Sequence, residues 1–309
     1  MQYRTLGKTG LRVSALGYGA AALGGVYGAI DEAEGIRTVH AALAGGINYI
    51  DVAPYYGVTR AETLLGQALR TVPRDRYYLS TKVGRYDFAE FDFSANRVIQ
   101  GFEESLRRLG VDHVDLLLCH DIEFGSIDQV VNETLPALER LRAAGKARWL
   151  GFSGLPLKIY PLVLDRTSAD AVISYCHHTL QDTTLTGLLP YLKEKHVGVI
   201  NASPLGMGLL SPRGVPPWHP APVEVRAACA QAAAHCAARG SNLAKLALQF
   251  AGSHPDIAST LTGAASAAEV EENLAWHAEP PDRTLLDEVR ALLQPIRDRS
   301  WPSGRPENN

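Results

Sequence analysis

Cysteine is scarce in this chain: Cys119, Cys176, Cys229 and Cys236 are the four in 309 residues, and no two form a CxxC pair. That excludes a disulfide framework and a zinc-ligand spacing, and it suits a reduced, cytoplasmic protein. Charge of either sign is not concentrated. Lys and Arg number 30 against 33 Asp and Glu, a formal net charge of −3, and no basic run occurs. Nucleic-acid and acidic-membrane partners both need such a run, so neither is expected. Long apolar stretches are also missing. The nearest imitation is Val13–Ile30, VSALGYGAAALGGVYGAI, whose five glycines would make a poor spanning helix. It reads as a strand followed by a glycine-rich loop. A dinucleotide fingerprint is absent as well, because Gly17-Tyr18-Gly19 continues to Gly24 rather than to a glycine three residues on. This removes the best support for an open doubly wound sheet.

What is present is alternation. The opening YRTLGKTGLRVSALG reads as a small β-hairpin turning at Gly7-Lys8-Thr9-Gly10. Short apolar or β-branched runs follow at Leu16–Tyr18, Asn48–Val52, Tyr77–Val83, Val114–His120, Arg148–Ser153, Ala171–Cys176, Gly198–Ser203 and Ser259–Thr262. Helix-length amphipathic stretches lie between them. Ile99, Phe102, Leu106 and Leu109 recur at helical spacing before Gly110, and Leu135, Leu138 and Leu141 precede Gly145 in the same way. Thr59 with Glu62 and Ser266 with Glu269 both fit a capping box. Eight strands with intervening helices predict an α/β fold, a closed (β/α)8 TIM barrel carrying an N-terminal β-hairpin. One domain over residues 1–309 is expected, with a loose C-terminal tail, WPSGRPENN, from about residue 300.

In such a barrel the carboxyl ends of the strands face the active site. Asp51 ends the second strand and Tyr56 lies on the loop after it, in DVAPYYG; Lys82 ends the third, in STKVG; His120 closes the fourth, in LLLCHD. Singly, each has a plain reading as a helix cap, a solvated lysine or a hydrogen-bonded core histidine. Together, on neighbouring strands, they suggest a proton relay. A free tyrosine ionises near ~10, and an adjacent ammonium favours the phenolate. Lys82 is expected to lower Tyr56 in this way, Asp51 to hold Lys82, and His120 to orient the reacting oxygen.

Asp51, Tyr56, Lys82 and His120, in these contexts, resemble the Asp-Tyr-Lys-His tetrad of the aldo-keto reductases, and the likeness extends from the hairpin to the late EVEENL. The resemblance implies a nicotinamide-dependent oxidoreductase. The segments PYYGVTRAETLLG, GRYDFAEFDFSANRV and VISYCHHTL are similar to those of members that oxidise an aldose at C1 to its lactone. L-Galactose is the substrate so implied, with L-fucose, D-arabinose or pyridoxal as alternatives, and a nicotinamide-binding regulatory subunit as a further one.

The same resemblance assigns cofactor contacts. Ser153 would meet the nicotinamide carboxamide, although Gly154 replaces the usual asparagine beside it. Ser203, Leu205, Gly206 and Gly208 would wrap the pyrophosphate. Gly263, Ser266, Glu269, Glu272 and Asn273 would receive the adenosine end, where members preferring NADP carry basic residues and this chain carries Glu269. A carboxylate there repels a 2′-phosphate and accepts from a ribose hydroxyl, so NAD is the expected cofactor. Tyr55, Asp121, Glu123, Trp218 and His219 are candidates for the pocket mouth. Cys119, His120, Cys176, His177 and His178 supply no tetrahedral set, because alternate strand residues point to opposite faces, and no metal is expected.

Overall fold

The computed structural model describes residues 1–309. The chain begins with the expected hairpin, in which β1 (Tyr3–Thr5) pairs antiparallel with β2 (Arg12–Ser14). Its turn needs glycine for two reasons. Gly7 has φ +49°, and a Cβ on it would stand 2.3 Å from the backbone nitrogen of Gly198. The hairpin therefore presses backbone to backbone against the amino end of a barrel strand.

Eight strands, all parallel, then close into a barrel in chain order: β3 (Leu16–Gly19), β4 (Tyr49–Asp51), β5 (Tyr78–Val83), β6 (Val114–Cys119), β7 (Ala147–Gly154), β8 (Ala171–Tyr175), β9 (Gly198–Ala202) and β10 (Ser259–Thr262). The uncharged segment Val13–Ile30 supplies β3 and a 3-10 turn over Ala20–Gly24. No helix is long and apolar enough to cross a membrane.

Strand periodicity sorts the side chains. Tyr49, Leu116, Leu118, Ala171, Ile173, Ile200 and Leu261 pack with the hairpin's Leu6, Leu11 and Val13, which plug the bottom of the barrel. Their strand neighbours Ile50, Leu79, Leu117, Cys119, Val172 and Val199 face outward into the main core beneath the helices. Helix Ala95–Leu109 shows how the outer layer is held: Ser94 caps its first turn, Phe102, Leu106 and Leu109 are buried, and Gly110 ends it at φ +68°.

Two expectations are corrected. Thr59 adopts φ +74° and caps nothing. Glu62 is fully buried instead, accepting from Thr81 Oγ1 at 2.6 Å and from Arg108 Nε at 2.8 Å. A carboxylate spaced as a cap is in fact an internal anchor for β5. The tail from about residue 300 is not loose. Trp301 and Asn308 are buried, Asn308 Nδ2 donates to the carbonyls of Glu123 (2.8 Å) and Gly125 (3.0 Å), and Ser303 Oγ donates to Glu123 Oε1 at 2.9 Å. The tail is stitched onto the loop that follows β6.

Candidate active site

The inward parity that carries Tyr49, Ser80 and Leu118 reaches, two residues on, Asp51, Lys82 and His120. Paired strands set their heights: Asp51 lies opposite Ser80, and Lys82 opposite Leu118. Three chemistry-bearing side chains thus meet where the apolar filling of the barrel ends.

Asp51 Oδ1 accepts from Lys82 Nζ at 2.5 Å, and Oδ2 accepts from Ser80 Oγ at 2.6 Å. Lys82 Nζ also donates to the carbonyl of Val52 at 3.0 Å and to Tyr56 Oη at 3.2 Å. All three ammonium protons are therefore committed. Tyr56 comes from the turn after β4, which Gly57 (φ +63°), Val58 (φ +50°) and Thr59 (φ +74°) bend through left-handed conformations. Gly24 permits this turn to sit where it does, since a Cβ there would lie 2.5 Å from the Tyr56 carbonyl. That is the use of the glycine-rich loop after β3.

His120 follows β6, its backbone nitrogen donating to Val83 O at 2.8 Å, and its ring meets those of Tyr55 and Tyr56 edge-on at 5.9 and 5.7 Å. Asp51, Lys82 and His120 are each no more than 3% exposed, while Tyr56 is only half-buried. Tyr56 is the member of the four that a ligand can touch most freely.

Burial decides the protonation states. It opposes the Lys82 charge, but Asp51 prevails and holds the ammonium above the ordinary lysine range. Burial pushes Tyr56 up to about 12, and the Lys82 ammonium tempers that rise without reversing it. The expectation that Lys82 brings Tyr56 below the free value is corrected accordingly. Burial also drives His120 down to about 3 despite Asp121 beside it, so its imidazole is neutral.

Around this centre the loop after β6 adds two acids. Asp121, at φ +47°, accepts from Arg85 Nη1 at 2.5 Å and stands 3.7 Å from His120 Nε2. Glu123 is buried between Leu155 N, Tyr175 Oη and Ser303 Oγ, and burial, with the Asp121 charge nearby, pushes it up to about 8. Tyr55, half-buried, lies between His120 and Arg85. Trp218 is exposed, its ring 6.0 Å from that of Tyr27. His219 is not at the mouth: it is buried and bonds Gly206 O at 3.0 Å, pinning the loop after β9.

The residues expected to hold a dinucleotide lie along the same rim. Ser153 Oγ accepts from Asp121 N at 3.0 Å and points its hydroxyl at Asp121 Oδ1, 3.3 Å away. A carboxamide bound there would meet Ser153 and Asp121 together. Ser203 (φ +54°), Gly206 (φ +56°), Met207 (φ +54°) and Gly208 (φ +108°) coil the loop after β9 tightly, with Leu205 packed beneath it. A Cβ at Gly208 would stand 2.7 Å from Gly214 O, so only glycine closes that coil. Beyond β10, Gly263 has nothing nearer than 3.6 Å to where a Cβ would be, and Ser266 caps the helix Ala267–Ala278. Backbone that is open at Gly263 and a capped helix amino end suit the approach of a nucleotide. The residues present fit the group.

Glu269 is more engaged than its capping spacing implied. Its Oε2 accepts from Ala265 N at 2.8 Å, and its Oε1 from Arg213 at 2.6 Å. Arg213 belongs to the loop after β9, so this ion pair links the segments expected to hold the two ends of the cofactor. Glu272 is exposed, and Asn273 Nδ2 reaches Thr262 Oγ1 at 3.4 Å. Sequence reading missed Arg213, Arg85 and the tail, because each acts through contacts distant in sequence. The Cys and His residues do not converge: His177 Nδ1 pairs with Asp182 at 3.0 Å, His178 packs on Phe250, and no group of three or more His, Cys, Asp or Glu is placed to hold a metal.

The sequence signature of the Aldo/keto reductase family matches residues 15–293. L-Galactose dehydrogenase of Arabidopsis thaliana is 49% identical over 317 aligned positions, covering 100% of this chain and 99% of the relative. D-threo-Aldose 1-dehydrogenase of a Pseudomonas species is 30% identical, over 87% of this chain and 91% of its own. Among solved structures, an aldo-keto reductase from Bacillus halodurans in its holo form superposes with a TM-score of 0.78 at 28% identity, over 98% of both chains.

Proposed function

The chain belongs to the aldo/keto reductase family, and from that premise we propose that it is an NAD-dependent aldose 1-dehydrogenase that oxidises L-galactose at C1 to its lactone. The observation that carries this reading is the hydrogen-bonded chain Asp51–Lys82–Tyr56 set against a neutral His120. The likeness to L-galactose dehydrogenase over the full chain supports the choice of sugar.

A nicotinamide dinucleotide, when bound, supplies the hydride acceptor. The chain supplies position and proton transfer. Ser153 and Asp121, with the loop Ser203–Gly208 and the residues Gly263–Asn273, would hold the dinucleotide. Neutral His120 orients the anomeric hydroxyl of the sugar toward Tyr56 Oη. Tyr56 takes the hydroxyl proton as the C1–H bond breaks, and C1 becomes the lactone carbonyl. Lys82 stabilises the phenolate form that must precede this, and Asp51 keeps Lys82 charged and aimed.

NADH formation by the purified protein with L-galactose, L-fucose, D-arabinose, D-galactose and pyridoxal tests the proposal. L-Galactose is expected to give the highest kcat/KM. Tight NAD binding with no turnover of any sugar would sink the enzyme reading and leave a regulatory subunit in its place.

The preference for NAD rests on Glu269 and on the lack of any lysine or arginine in Gly263–Asn273. Arg213 reaches this segment from the loop after β9, and Glu269 pairs with it at 2.6 Å. Glu269→Gln releases Arg213 to meet a 2′-phosphate. The NADP-to-NAD ratio of kcat/KM should rise roughly ten- to a hundredfold, the range of one charge-assisted hydrogen bond. An unchanged ratio, or a wild-type protein that already prefers NADP, would remove Glu269 from cofactor choice.

A further inference from the structure

Arg85 is a cation in an unusual place. Val83 ends β5, Gly84 turns the chain at φ +96°, and Arg85 follows with its side chain laid against Tyr55 and Asp121. Its guanidinium carbon lies 3.7 Å over the Tyr55 ring and 5.2 and 5.1 Å from Phe91 and Phe124, whose own rings stack at 4.2 Å. Three aromatic faces and Asp121 fix a side chain that is 12% exposed. Nη1 is bound to Asp121 Oδ2, and Nη2 has no hydrogen-bond partner in the protein.

An ion pair this enclosed is seldom better for stability than apolar groups of equal volume. Its position gives it another use. Tyr55, which it covers, meets His120 at 5.9 Å, and Asp121 Oδ2 is 3.7 Å from His120 Nε2. Near the histidine that faces the reacting oxygen there is thus a fixed cationic donor, the Arg85 guanidinium, bonded to a fixed acceptor, the Asp121 carboxylate. A hydroxyl both donates and accepts, and two neighbouring hydroxyls on a sugar ring match a donor and an acceptor held side by side.

We propose that Arg85 and Asp121 together bind the neighbouring hydroxyls at C2 and C3 of the aldose, so that their configuration determines whether the C1–H bond is presented for oxidation. This rests on the aldose reading above and adds Arg85 as a residue that sets specificity. The aromatic cage is part of the device: it holds the guanidinium without using its free nitrogen, and Tyr55 leaves an apolar face toward the ring of the sugar.

The test compares the wild-type protein with Arg85→Gln and Arg85→Lys, using L-galactose and its 2-deoxy analogue. In Arg85→Gln, KM for L-galactose should rise about ten- to a hundredfold, with a smaller change in kcat. The wild-type protein should discriminate against the 2-deoxy sugar, and Arg85→Gln should lose most of that discrimination. Arg85→Lys, which keeps the charge on a flexible stem, should retain part of it. NAD affinity, read by quenching of protein fluorescence, should change much less than KM for the sugar. Discrimination surviving in Arg85→Gln would overturn the proposal. So would a fall in NAD affinity and thermal stability with no selective effect on the sugar, since that marks a structural staple. If Arg85→Gln does not fold, the KM and 2-deoxy ratio of Arg85→Lys decide alone, and wild-type values there overturn it. A wild-type protein inactive on every aldose fails at the earlier step and takes both readings with it.

Discussion

Replacing Tyr56 by Phe should abolish all but a small residue of sugar oxidation, a loss of roughly a hundred- to ten-thousand-fold in kcat, the range of one general acid–base group. The argument is local. Phe keeps the ring that meets His120 edge-on and loses only the oxygen bonded to Lys82 at 3.2 Å. The turn that carries Tyr56 is held by backbone contacts with Gly24, which Phe does not disturb. NAD affinity and the unfolding midpoint should therefore stay near wild type. Turnover within threefold or so of wild type would remove Tyr56 from the chemistry.

The same group sets the pH dependence. Sugar oxidation needs the phenolate, and burial has pushed Tyr56 up to about 12. Over the neutral and mildly alkaline range the phenolate fraction then grows about tenfold per pH unit. Where proton transfer limits the rate, kcat for oxidation should climb without a plateau until well into the alkaline range. His120, lowered to about 3, is neutral throughout and adds no second limb near neutrality. In Tyr56→Phe the residual rate should lose this slope.

How far the sequence foretells such behaviour differs from residue to residue. The eight strands are legible because a parallel strand buried on both faces is a short apolar run closed by small residues. Asp51, Lys82 and His120 are legible because each puts an ionisable group on the inward row, with period two, at the carboxyl end of its strand. Glu62 is not, because a threonine three residues before a glutamate looks the same whether the acid caps a helix or, as here, crosses to Thr81 and Arg108. The tail misleads because proline, arginine and glycine usually mark a linker. Here Gly304, at φ +74°, instead lets the backbone lie against the carbonyl of Glu123, where a Cβ would stand at 2.3 Å. The direction of the Tyr56 shift was hidden for a different reason. Sequence names the charge beside a phenol, but the desolvation that outweighs it is a property of the packed fold.

Removing Asp51 should cost stability as well as activity. Asp51→Asn leaves Lys82, 2% exposed and far from water, without the carboxylate bonded to it at 2.5 Å. Breaking one side of a buried ion pair is worth about 3–5 kcal/mol, since the remaining charge keeps its desolvation cost. The sign of the pH dependence then reverses. In the wild-type protein the Lys82 pKa is raised by Asp51, so its contribution is complete below the unfolded lysine value and is lost as pH rises through the folded one. In Asp51→Asn desolvation acts nearly alone and lowers the folded pKa. The variant is therefore weakest at low and neutral pH and regains stability as pH rises toward the unfolded value of ~10.4. The gap between the urea midpoints of variant and wild type, measured near neutrality and again near that value, should narrow at the higher pH by the share that is Lys82's own desolvation, while the wild type keeps the pair's contribution there. A deficit that stays constant across the range would mean that Asp51 supports the fold through Ser80 and β5 rather than through the charge of Lys82, and the relay would lose its first member.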